Sequence, residues 1–187
     1  MSTIPNNDTI KRKTLNSYKS ELRKYLLTSR FNDKTASENE RYRSRNPNIG
    51  CIYCTPDQVS QSIGQDSIML VLEMNNDTNK IMGIGMTKNN SYSERFHVYD
   101  DGNYNRYVYI GKYRIPRADF TEQEEAVTKI LDEMVFRGTR HMKRGQGLRL
   151  FPIETLYECK QKGFDLVNYV SNMFKRRLLS TKNKTIP

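Results

Sequence analysis

The chain runs to 187 residues and 22.0 kDa with 36% hydrophobic residues, which suits one domain with a modest core and polar extensions and disfavours two separate cores. No apolar run approaches the ~20 residues of a bilayer span, and MSTIPNNDTIKRK lacks the apolar centre of a signal peptide, so neither a spanning nor a secreted chain is expected. Thirty-one Lys and Arg against 21 Asp and Glu leave a formal charge of +10, an excess that calls for an anionic partner.

Residues 1–14 mix Pro, Asn, Asp and cations with no periodicity and read as a basic arm. From Leu15 the apolar positions Leu15, Tyr18, Leu22, Tyr25 and Leu26 fall at helical spacing and predict one amphipathic helix. Residues 32–48, NDKTASENERYRSRNPN, are polar with Pro47 near their end and read as a linker. The main domain is expected to begin at Ile49 with a short strand to Cys54. Thr55 and Pro56 then offer an N-cap and a first-turn proline for a short helix carrying Val59 and Ile63, stopped by Gly64.

Two apolar runs, Ser67 to Met74 and Lys80 to Thr87, flank the turn-forming Asn75-Asn76-Asp77-Thr78-Asn79 and predict an antiparallel hairpin. Gly83 and Gly85 inside the second run predict a bulge or a close approach by backbone or ligand. Residues 88–105 read as a polar excursion. Arg106 to Ile115 then alternates, with Tyr107, Tyr109 and, unless Gly111 breaks the register, Tyr113 on one face and Val108 and Ile110 on the other. Thr121 and Glu124 form a capping box that opens a helix to about Phe136, with Val127, Ile130, Leu131 and Met134 as its apolar face. A short strand over Leu148 to Ile153, a helix over Thr155 to Lys162 and a last helix capped by Asp165 precede the basic tail STKNKTIP.

The segment from Arg137 to Arg149 holds Arg137, Arg140, Lys143, Arg144 and Arg149 together with His141, and no acid occurs between Glu133 and Glu154. Guanidinium forks match phosphate oxygens, and Gly145 and Gly147 would let backbone N–H groups approach an anion. Phosphate binding is the simplest chemical reading; a solvated loop that touches nothing would carry the same charges. A second acid-free stretch, Gly102 to Ala118, interleaves Arg106, Lys112, Arg114 and Arg117 with Tyr104, Tyr107, Tyr109 and Tyr113. Bases stack on aromatic faces while cations hold the backbone, so this pattern suits single-stranded or splayed nucleic acid. Packing of the tyrosines inside an ordinary sheet is the competing reading.

Three cysteines, Cys51, Cys54 and Cys159, make no disulfide scaffold and fit a reducing compartment. Cys51 and Cys54 have the outward spacing of a metal or redox pair, but they fall in an expected strand where positions three apart face opposite sides. No metal or other cofactor is therefore expected. No phosphate-loop, dinucleotide or serine-elbow motif occurs, and His141 among cations suits contact with a phosphate or base better than general-base work. No catalytic residue is assigned; the weaker alternative is a metal-dependent nuclease or nucleotide-modifying enzyme, for which an acidic pair such as Asp100-Asp101 or Asp132-Glu133 would hold the metal.

The order of elements from Ile49 to Gly163 resembles the PUA-like superfamily, within it the EVE and YTH type of domain. The likeness rests on CIYCTPDQVSQSIG, the hairpin SIMLVLEMNNDTNKIMGIGMT, the strand YVYIGKYRI and the closing RGQGLRLFPIETLYECKQKG. It implies a small bent β-barrel with flanking helices that binds RNA or DNA and, in some members, takes one base into an aromatic pocket. That pocket leans on tryptophan in the family. This chain has none, so Tyr53, Tyr107 or Tyr109 would have to substitute.

The expectation is thus an α+β chain with a mixed or antiparallel, barrel-like sheet. Residues 1–48 would form the arm, helix and linker, residues 49–163 the PUA-like domain, and residues 164–187 the last helix and tail. Its expected work is non-catalytic nucleic-acid binding inside the cell, in cytoplasm or nucleus, with protein contacts through the first helix and the tail and no membrane partner. The alternative from another class is a structural component of a virion or similar assembly whose termini clamp neighbours.

Overall fold

The computed structural model describes residues 7–92 and 96–183. Five strands form one mixed sheet in the order β6-β4-β3-β1-β7. They are β1 (Lys24–Phe31), β3 (Ile68–Asn75), β4 (Lys80–Lys88), β6 (Tyr113–Pro116) and β7 (Leu148–Leu150). β1 and β3 run parallel; every other neighbouring pair is antiparallel. β2 (Cys51–Thr55) and β5 (Tyr107–Gly111) make a separate antiparallel ribbon. The helices are α1 (Asn7–Glu21), α2 (Asp33–Arg45), α3 (Glu122–Phe136), α4 (Ile153–Gln161) and α5 (Leu166–Asn183).

Both faces of the large sheet are covered, which is why β3 is apolar at nearly every position rather than at alternate ones. Leu70, Leu72 and Met74 of β3 join Leu131, Val135, Val170 and Phe174 of α3 and α5 in one core. Met69 and Val71 point the other way, into a second core with Ile52, Tyr53, Val108 and Tyr109 of the ribbon. The sheet is therefore the middle layer between helices and ribbon.

The α+β class holds, but the strands do not close into a barrel. The expected barrel-like sheet is replaced by an open mixed sheet with a two-stranded ribbon on one face. The hairpin of β3 and β4 and the helix opened by Thr121 form as their sequences predict, and Asp165 caps Asn168 of α5 at 2.9 Å. Pairing between β3 and β4 shifts between Glu73 and Met74, so a bulge does sit beside Gly83.

Six local expectations are corrected. Residues 7–14 of the supposed arm are helical, whereas Tyr25 and Leu26, assigned by spacing to a helix, lie in the central strand β1. Residues 33–45 of the supposed linker form α2, opened by a reciprocal Asn32–Thr35 capping box. Residues 56–63 make turns rather than a helix. The run from Arg106 to Ile115 is two strands in two sheets, because the chain crosses from ribbon to large sheet at Gly111, where a Cβ would stand 2.1 Å from the Met86 carbonyl oxygen. Ile130, placed on the inner face of α3 by spacing, is 63% exposed. The first six residues of the expected arm and the last four of the basic tail lie outside the described residues.

Candidate nucleic-acid interface

The basic segment after α3 is a loop whose path is set by backbone hydrogen bonds. Met142 donates to the Val135 carbonyl at 2.7 Å, folding the loop back on the end of α3. The Lys143 carbonyl then accepts Arg30 Nη1 at 3.2 Å and Asn76 Nδ2 at 3.0 Å. Arg30 ends β1 and Asn76 follows β3, so the loop is seated at the carboxyl ends of the two parallel strands. Open sheets with parallel strands place their ligand crevices at that end.

A cleft of about 410 Å³ lies there, lined among others by Arg30, Lys34, Glu38, Asn76, Tyr104 and Gly147. Its size falls in the range of small-ligand sites. Tyr99 and Tyr104 meet edge to face, centroids 6.4 Å apart, in its wall. The Lys34 ammonium bridges Asp100 at 3.0 Å and Glu38 Oε1 at 3.6 Å, and this contact holds the Asp100 carboxyl below its usual range. Asp77 accepts the Asp33 N–H at 2.8 Å and Asp101 accepts the Asn103 N–H at 3.0 Å, so both serve the backbone around the cleft.

The segment's residues divide by exposure. Arg140, Arg144 and Arg149 are exposed and Lys143 is half-buried. Among the described residues none of these four has a carboxylate partner. Arg137 is exposed and pairs with Glu133 at 3.2 Å, one turn back. His141 keeps Nδ1 buried without a hydrogen bond. Gly147 adopts φ +64° and a Cβ there would meet Thr55 at 2.9 Å, so only glycine passes. Gly145 is different: its N–H is engaged by the Met142 carbonyl at 3.2 Å, which removes the backbone donor expected of it.

The second stretch scatters. Tyr107 pairs with Thr55 across the ribbon and so ends beside Gly147, while Arg106 is exposed two residues beyond Tyr104. Tyr109 is core, its hydroxyl accepting the Val59 N–H at 3.0 Å. Lys112 and Tyr113 are exposed and pair with each other, ammonium to ring centroid 6.0 Å, past the crossing at Gly111. Arg114 and Arg117 are not free for a ligand. Arg114 clasps the buried Glu73 at 2.7 Å, and Arg117 holds Glu125 and Asp132, each at 2.8 Å.

Tyr53 is fully buried with its hydroxyl donating to Glu73 Oε1 at 2.9 Å, and neither it nor Tyr109 lines the cleft; Tyr109 borders a different hollow with Gln58, Ile63 and Asn89. Tyr99 and Tyr104 wall the cleft instead. Tyr104 belongs to the aromatic and basic stretch already singled out, but sequence reasoning gave Tyr99, Arg30 and Lys34 no binding role, because 88–105 read as an excursion, 32–48 as a linker and 27–31 as no assigned element. Cys51 and Cys54 are buried; burial pushes the Cys51 thiol up to about 12 and Cys54 upward as well. Among the described residues no three His, Cys, Asp or Glu side chains gather as a metal site, and no helix is long and apolar enough to cross a membrane. No family model, no curated protein and no solved structure matches the chain.

Proposed function

We propose that the protein binds nucleic acid without catalysing a reaction on it, gripping phosphates with Arg140, Lys143, Arg144 and Arg149 and admitting one base to the cleft beside them. The observation that carries this reading is the seating of the Lys143 carbonyl on Arg30 and Asn76, because it fastens a run of unpaired cations to the rim of an aromatic-walled cleft. Cations at a rim draw the backbone in, and Tyr104 offers a face on which an unpaired base can stack. The resemblance to EVE and YTH domains supports the same function. Tyr99 and Tyr104 would then stand in for the missing tryptophans.

The direct test is the salt dependence of binding to fluorescently labelled oligonucleotides, RNA and DNA. With about four phosphates neutralised, affinity for a single strand falls roughly fiftyfold between 50 and 200 mM salt. Binding that is absent, or flat with salt, overturns the reading.

A further inference from the structure

The cleft contains a feature that phosphate binding does not use. Glu38 is buried to 7% exposure and lines the cleft; its Oε1 is ion-paired with the Lys34 ammonium at 3.6 Å but accepts no hydrogen bond, and the Asp100 carboxyl stands beside its carboxyl. Asn76, on the same wall, donates through Nδ2 to Lys143 while its Oδ1 is buried and unpartnered. A buried acceptor without a donor costs about 1–3 kcal/mol, and more when charged. Two of them in one cleft call for a ligand that brings N–H donors.

We propose that the cleft recognises an unpaired guanine, whose N1–H and 2-amino group donate to the Glu38 carboxylate. This rests on the nucleic-acid reading above. Guanine alone among the common bases presents two adjacent donors on its pairing edge, and a carboxylate accepts two parallel donors in the geometry it offers to arginine. Adenine and cytosine offer one amino group beside a ring acceptor, which a carboxylate repels. Uracil offers one ring donor between two carbonyl oxygens. An arginine side chain from a protein could also supply two donors, and Glu38, Asp77 and Asp101 line the cleft with Arg30 and Lys34; Asp77 and Asp101 are engaged by backbone N–H groups, and the basic loop seated through the Lys143 carbonyl favours a phosphate-bearing ligand.

The test uses single-stranded seven-mers of uridine carrying one central G, A, C or inosine, in RNA and DNA forms, titrated by fluorescence anisotropy at fixed salt. The full-length protein should bind the G strand about tenfold or more tightly than the others, and inosine, which lacks only the 2-amino group, should lose most of that advantage. Glu38→Gln, which replaces one acceptor with a donor, should erase the preference for the G strand over the A, C and inosine strands. The inosine comparison needs no variant and so stands even if Glu38→Gln unfolds. Equal binding of all four strands overturns the guanine assignment and leaves the nucleic-acid reading in place. Loss of all binding overturns both, and displacement of the G strand by an arginine-rich peptide at equal concentration points the cleft to protein instead.

Discussion

A Cβ on Gly85 would stand 1.8 Å from the hydroxyl oxygen of Tyr53. The same atom would press Cys51 Cβ at 2.8 Å, and Gly83 leaves matching room for Arg114 and Glu73. The glycines of β4 thus exist so that the ribbon can lie on the sheet and bury a Tyr53–Glu73–Arg114 network between them. Tyr53 cannot swing aside without breaking its bond to Glu73 and moving within a filled core. Gly85→Ala should therefore destabilise the fold by about 3 kcal/mol or more, read as a lowered urea midpoint; an unchanged midpoint would show that the ribbon is free to lift.

Arg114 is a structural cation. Its Nε donates to both Glu73 oxygens, at 3.1 and 2.9 Å, and burial alone would lower its pKa were it not for that carboxylate, which keeps it raised. Arg114→Met leaves a buried carboxylate with no cation, its remaining partner the Tyr53 hydroxyl, and should cost about 3–5 kcal/mol. Adding Glu73→Gln should recover part of the loss. Oligonucleotide affinity per folded molecule should stay unchanged in the double variant, and a fall would return Arg114 to the binding surface.

Acid should loosen the grip of α5 on α3. Burial opposes ionisation of Glu124, but hydrogen bonds from Arg177 and Arg176 and from the Thr121 N–H outweigh it and hold the carboxyl at about 2. Because the folded pKa lies below the unfolded one, the contribution is fully present above about pH 4.5 and disappears as pH falls toward 2. It amounts to about 1–2 kcal/mol, since solvent around the two guanidinium groups screens part of it. Arg177→Ala should flatten this limb of the stability profile, measured by denaturant titration at stepped pH. An identical limb in the variant would assign the acid sensitivity to other carboxylates.

Reversing Arg140, Lys143 and Arg144 together to glutamate should abolish oligonucleotide binding while leaving the thermal midpoint within a few degrees. The side chains are exposed or half-buried, and the fold's hold on the loop is through the Lys143 carbonyl, which the substitutions keep. Each single reversal should lower the salt slope by about one. Retained binding in the triple variant would move the phosphate contacts elsewhere.

Arg30→Ala tests the seating of the loop. Without its donor to Lys143, and with Asn76 alone remaining, the 138–147 segment should lose amide protection in hydrogen exchange, and oligonucleotide affinity should fall several-fold. Unchanged protection would mean that Met142 and Asn76 suffice to seat the loop.

What could be read in the chain itself is whatever neighbouring residues decide among themselves. Turn chemistry at 75–79 makes the β3–β4 hairpin, Thr121 and Glu124 cap α3 reciprocally, and the cations of 137–149 lack acids to neutralise them in sequence. The misreadings share a cause of the opposite kind. Tyr25 and Leu26 continue a helical spacing by coincidence, and only pairing with β3 and β7 makes them strand. α2 carries few apolar residues, and its buried Glu38 and Asn39 owe their burial to partners such as Ile52 and Tyr99, distant in sequence.

The net charge of +10 and its concentration after α3 are properties of the sequence alone. Which cations remain free is a property of the fold, because many ion pairs join residues distant in sequence, such as Arg114 with Glu73 and Arg177 with Glu124. The tertiary structure withdrew Arg114 and Arg117 from the candidate interface and Tyr109 into the core. It added Arg30, Lys34 and Tyr99 and set them beside Tyr104, since a cleft exists only where separate segments converge.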